Sequence, residues 1–144
     1  MAVVVMAGFT EDQAYQIAKF DQATDDDPSL DPDRPFNFDA RRDYHFALTD
    51  RVNNLRIAAR RCEQGLGIQE FTAIGRFLHA YQDSFSHRNH MSANSYRIGH
   101  VLSGHAPDYP WVDPSSFQLM FIGLFEELLE VVLRRIEAAE QALG

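Results

Sequence analysis

Along this 144-residue chain, apolar positions recur at steps of three and four through four long stretches, the period of helices that bury one face. In the first stretch Ala14, Ile17, Ala18, Asp21 and Asp25 share a face, and Thr10 with Gln13 forms a capping-box pair. A helix is expected there from about Thr10 to Asp25, on a face that starts apolar and ends in two carboxylates. A second stripe, His45, Leu48, Val52, Leu55, Ala59 and Cys62, predicts a helix from an N-cap at Asp39 to near Gly65–Gly67. The third helix, about Ile68 to His87, has an apolar face of Phe71, Ile74, Phe77, Leu78, Tyr81 and Phe85. The fourth takes Ser115 or Ser116 as its cap and runs to about Leu143. Its apolar side is Phe117, Met120, Phe121, Leu124, Leu128, Val131, Val132 and Ile136.

Prolines separate these stretches. Pro28, Pro32 and Pro35 force an extended linker after the first helix, and Pro107, Pro110 and Pro114 stiffen the segment before the last. Residues 88–114 read as irregular apart from a short helix over about Ala93–Leu102. Only Val3–Val5 has strand character, and no repeat is present. The expected fold is all-α: one domain over residues 1–144, a compact bundle of about four main helices with a Pro-rich loop before the last. Met1–Phe9 is apolar but only nine residues long, lacks a cationic start and is followed at once by Thr-Glu-Asp. It is too short to cross a bilayer and a poor secretory signal, so it is expected to pack on the domain. A cytoplasmic protein, an effector delivered elsewhere, or a piece of a larger chain all fit.

The formal charge of −8, without a Lys/Arg cluster, disfavours a general polyanion-binding surface. Bound dications could still reverse the local field, which keeps a nuclease in play. Cys62 is the single cysteine, so no intrachain disulfide forms and sulfur-based metal sites are excluded.

The candidate chemistry lies in Leu78–Asp108, which holds five of the six histidines. His79, Asp83 and His87 are spaced four apart and stack along one helix face. Neutral imidazole and carboxylate are the ligands zinc takes when thiolate is absent. That stripe fits either a ligand face turned to a cleft or a solvated polar face. Small neighbours at Thr72, Gly75 and Ser86, which admit another element closely, favour the cleft. Asp21 and Asp25 fit either ligands or a frayed, solvated helix end. His45, at the head of the second stripe, and His100 and Asp108 in the loop could complete the site. Trp111 fits a pocket wall or a core plug equally. No serine or cysteine nucleophile pattern and no nucleotide-binding loop competes.

Three blocks carry a resemblance to a known group: AKFDQATDDD, Tyr44-His45-Phe46, and LHAYQDSFSH with its H-x-x-x-D core at His79 and Asp83. They resemble the zinc-dependent phospholipase C and single-strand-specific zinc nuclease superfamily, which is all-helical and binds up to three zinc ions. GHVLSGHAPDYPWVDP is similar to a bacterial branch with the pattern GH…G…PD. The interval from Asp83 to His87 is shorter than the family's, and Gly104 stands where a late H-x-x-x-D/E pair needs an acid. The resemblance implies a zinc-dependent phosphoester hydrolase with one to three ions, held by Asp21, Asp25, His45, His79, Asp83, His87, His100 and Asp108. Asp83 and Asp108 would serve catalysis, and Arg76 would hold phosphate unless it is merely a solvated charge. The substrate would be a phosphoester such as a phospholipid, with nucleic acid the lesser expectation. The rival readings are a non-enzymatic module with a structural metal and a zinc nuclease. The wide band on the last helix suggests a homodimer.

Overall fold

The first element contradicts its local propensity. In the computed structural model, which describes residues 1–30, 36–45, 49–60, 67–86 and 114–143, the β-branched run Val3–Val5 lies within a short helix, α1 (Ala2–Met6). Burial decides the matter: Val4 and the following Ala7 and Phe9 enter the core, and α1 packs against the last helix. Gly8, at φ +107°, makes the turn that follows, a conformation that favours glycine.

The predicted capping box is present. The Thr10 hydroxyl accepts from the Gln13 backbone amide at 3.3 Å, and the Gln13 side chain accepts from the Thr10 amide at 3.0 Å. Helix α2 (Glu11–Asp26) starts from it and buries Ala14, Ile17 and Thr24. Asp27 then locks a turn, its carboxylate accepting from the Ser29 amide at 2.8 Å and the Ser29 hydroxyl at 2.7 Å. These two bonds, hydroxyl first, hold the Asp27 carboxyl below the usual carboxylate range.

The second predicted helix differs from expectation at its start. A single turn, α3 (Phe38–Ala40), passes into a π-helical turn over Arg41–His45, and α4 covers Thr49–Arg60. Of the predicted stripe, His45, Val52 and Ala59 are buried and Leu55 packs partly against the core, while Leu48 and Cys62 lie outside the described residues. Helix α5 (Ile68–Ser86) is central, packing against α2, α4, the π-helical turn and the last helix. Hence it buries more than one stripe: Ile74, Phe77 and Leu78 on the predicted face, and also Gly75, His79 and Ala80.

The last helix, α6, begins at Pro114 and runs to Leu143, so the two serines expected as caps lie inside its first turn. Proline suits that opening position because the amide it lacks would be unpaired there anyway. Met120, Leu124, Leu128 and Val131 point inward, whereas Phe117 and Ile136 of the predicted apolar side are about half exposed. Ile136 joins Leu119, Ile122, Leu129 and Leu133 in an outer apolar stripe, while Phe117 lies at the exposed end of the inner face, so the wide band divides into two faces. Glu127 ties α6 to α4, lying 2.9 Å from both Arg56 Nε and Arg60 Nη2. The described residues contain no strand, and none of their helices is long and apolar enough to cross a membrane. The fold is therefore the expected all-α bundle with four main helices, α2, α4, α5 and α6.

At Gly75 the backbones of α2 and α5 approach closely. A Cβ there would lie 2.7 Å from the Asp21 backbone nitrogen and from Phe20 Cβ, and 2.8 Å from the Phe20 carbonyl carbon. Backbone cannot give way as a flexible side-chain end can. Gly75→Ala is expected to destabilise the protein by about 1–3 kcal/mol through overpacking. At this chain length each kcal/mol lowers the melting temperature by roughly 2–4 °C, so thermal unfolding measures the effect. An unchanged melting temperature would show that the two helices are not in backbone contact.

Candidate metal centre

Because α2 and α5 meet so closely, short side chains one turn apart on each can interlock. Asp21 and Asp25 come from α2, and His79 and Asp83 from α5. His45 closes the group from the end of the π-helical turn. Such turns, which widen a helix locally, recur at functional sites.

The two histidines are buried, with side chains 3% and 9% exposed, and their rings meet edge to face at a centroid distance of 4.8 Å. His79 Nε2 lies 3.0 Å from His45 Nδ1. Asp25 Oδ1 is 3.6 Å from His45 Nδ1 and 3.5 Å from His79 Nε2. Asp83 Oδ2 approaches the same two nitrogens at 3.3 and 3.5 Å. Ligands about 2.0–2.1 Å from a tetrahedral zinc ion lie roughly 3.3–3.4 Å from one another. The triangle formed by Asp25 Oδ1, His45 Nδ1 and His79 Nε2 has edges of 3.6, 3.5 and 3.0 Å, so one ion could touch all three.

The tautomer of His45 follows from its other nitrogen. His45 Nε2 lies 3.0 Å from the Leu30 carbonyl oxygen, which only accepts, so Nε2 carries the proton and donates it. A neutral His45 therefore presents a lone pair at Nδ1, the atom facing the cluster. The turn carrying Leu30 is fixed by Asp27, by the Leu30 amide donating to the Asp27 carbonyl at 2.8 Å, and by Asn37 Nδ2 donating to the Ser29 carbonyl at 3.0 Å.

Asp21 sits at the other edge of His79. Its buried Oδ1, without a hydrogen bond of normal length, is 3.5 Å from His79 Nδ1, and its Oδ2 accepts from Gln82 Nε2 at 3.4 Å. Beside the cluster opens a cavity of about 280 Å³. Asp21, Gln22, Asp25, His79, Gln82 and Asp83 line its polar side, and Phe117 and Met120 of α6 its apolar side.

Of the residues singled out in the sequence, Asp21, Asp25, His45, His79 and Asp83 thus come together. His87, His100 and Asp108 lie outside the described residues. Arg76 is not among the cavity's described lining; its guanidinium lies 5.5 Å from the centre of the Tyr44 ring. Sequence reasoning missed the Leu30 carbonyl, a backbone group that no residue type announces. It also missed Gln82, whose position four residues before Ser86 and one before Asp83 on the same helix was available. Compared with protein-family models, characterised proteins and solved structures, the chain finds no match.

In the metal-free protein the carboxylates act on a proton. Burial disfavours the His79 cation, but hydrogen bonding to Asp21 and Asp83 and the charges of Asp83 and Asp25 outweigh it, raising the pKa to about 10. Burial also raises Asp25, partly offset by the two histidines. Because the folded-state pKa of His79 lies above its unfolded value of about 6.5, the stabilisation is complete below that pH and is lost as pH rises through about 10. With chelator present, denaturant unfolding should show stability falling between these limits, and His79→Gln should flatten that fall. A His79 ring signal that titrates near pH 6.5 would contradict the arrangement.

Proposed function

We propose that the protein is a zinc-dependent phosphoester hydrolase of the phospholipase C kind, with Asp25, His45 and His79 holding the metal and Asp83 beside it. The observation that carries this reading is the meeting of two imidazole nitrogens and carboxylate oxygens beside an open cavity. Two nitrogens with carboxylate oxygens suit zinc among the borderline metals. A structural zinc site is closed by protein ligands, whereas a catalytic one keeps a position open. The adjoining cavity and the half-exposed Asp25 favour the second.

Zinc supplies a Lewis acid and brings the pKa of bound water towards about 7. His45 and His79 orient the centre from its buried side. Asp83, which borders both the donors and the cavity, is the carboxylate placed to take a proton from attacking water. Asp25 shares its charge between both histidines. Substrate enters through the cavity, where Gln22 and Gln82 offer amide donors to phosphate oxygens and Phe117 and Met120 meet an apolar group. A zinc nuclease is the second reading; against it stand the net charge of −8 and the lack of Lys or Arg among the described cavity residues.

Protein purified without chelator should contain at least one zinc per chain by elemental analysis. It should turn over a phosphatidylcholine analogue faster than single-stranded DNA, and chelator should abolish the turnover. His79→Ala should lower both metal content and melting temperature. No bound metal and no uptake on titration would sink the metal centre. Stoichiometric zinc without turnover of either substrate would favour a structural module instead.

A further inference from the structure

We infer that Asp21 is a positioning residue that holds the ring of His79 by its Nδ1–H and is not itself a ligand of the metal bound at Nε2. The inference rests on reading the cluster as a metal centre, and it assigns opposite duties to two aspartates one turn apart on α2. The two nitrogens of an imidazole face away from each other. His79 Nε2 faces His45 Nδ1, Asp25 Oδ1 and Asp83 Oδ2 at 3.0, 3.5 and 3.5 Å, so that nitrogen must give its lone pair to the ion. Nδ1 then keeps its hydrogen, and the atom before it is Asp21 Oδ1 at 3.5 Å. That oxygen is buried and has no hydrogen bond of normal length, leaving it free to accept one when the ring seats on the metal. Its partner Oδ2 accepts from Gln82, one residue before Asp83, and the Asp21 backbone nitrogen lies against Gly75, so the carboxylate is held from both ends. His45 is clamped in the same sense by the Leu30 carbonyl at 3.0 Å. Each imidazole thus has an acceptor behind it that fixes the tautomer in which the inward nitrogen is bare, the arrangement by which outer partners orient metal-bound histidines.

The test compares intact wild-type protein with Asp21→Ala, Asp21→Asn and Asp25→Ala. Zinc dissociation constants come from competition with a chelating dye, and ring nitrogen shifts of zinc-loaded wild type from NMR. Asp21→Ala should weaken zinc about 10–100-fold, Asp21→Asn less because its amide oxygen still accepts from Nδ1–H, and Asp25→Ala more than either. The NMR should show His79 coordinated through Nε2 and protonated at Nδ1. Wild-type affinity in Asp21→Ala, a loss equal to that of Asp25→Ala, or coordination through Nδ1 would each overturn the assignment while leaving the metal centre intact. Wild type that takes up no zinc overturns both. If Asp21→Ala does not fold, the wild-type ring shifts and Asp21→Asn still decide.

Discussion

The site depends on the distance between α2 and α5. Packed helices ordinarily lie about 8–10 Å apart, depending on the side chains between them. Aspartate has a single methylene and cannot reach far across such a gap. Glycine at position 75 removes the side chain that would hold the helices apart, so that the α2 backbone at Phe20 and Asp21 rests directly on α5. One turn further along both helices, the same closeness brings Asp25 within 3.5 Å of His79. The register of the bundle and the geometry of the site are therefore one constraint.

Gathering three carboxylates around two buried imidazoles is costly unless something cationic sits among them. Apolar side chains of similar volume would fill the same space without that cost. In the metal-free protein, a proton on His79 meets part of the need, which is why its affinity for that proton rises so far. It leaves the Asp21 Oδ1 atom buried and poorly satisfied. A divalent ion between the two imidazoles would replace one charge by two close to the oxygens of Asp25 and Asp83. The unfavourable electrostatics of the cluster are thus what would favour a metal ion there, and strongly perturbed groups beside a cavity are a general mark of function.

Much of this was legible in the residues. The capping box at Thr10, the His79–Asp83 stripe, the carboxylates closing α2 and the small residue at Gly75 each follow from spacing and side-chain size. Other features had no such signal. The strand-like Val3–Val5 is helical because α6 covers it, a tertiary effect stronger than propensity. The π-helical turn that ends in His45 is invisible to a pattern that assumes a constant period. Asp21 and Asp25 look identical on a helical face, and only the ring between them and the cluster tells which edge each one meets. On α6 the wide apolar band ran together two stripes, and it took the inner packing of Met120, Leu124 and Leu128 to part them from the exposed set.

The start of α6 bears on the proposed substrate. Phe117, on the apolar side of the last helix, stands 42% exposed and with Met120 lines the cavity that the carboxylates also line. The exposed part of that ring contributes nothing by burial. It gains that burial only when something apolar enters beside it. A polynucleotide would bring repeated negative charge towards three carboxylates, with no basic side chain among the described cavity residues to balance it. A single phosphoester attached to an apolar group would place one charge at the proposed metal and its hydrocarbon against Phe117. On the proposed hydrolase reading, this lining fits an amphiphilic ester better than a polyanion.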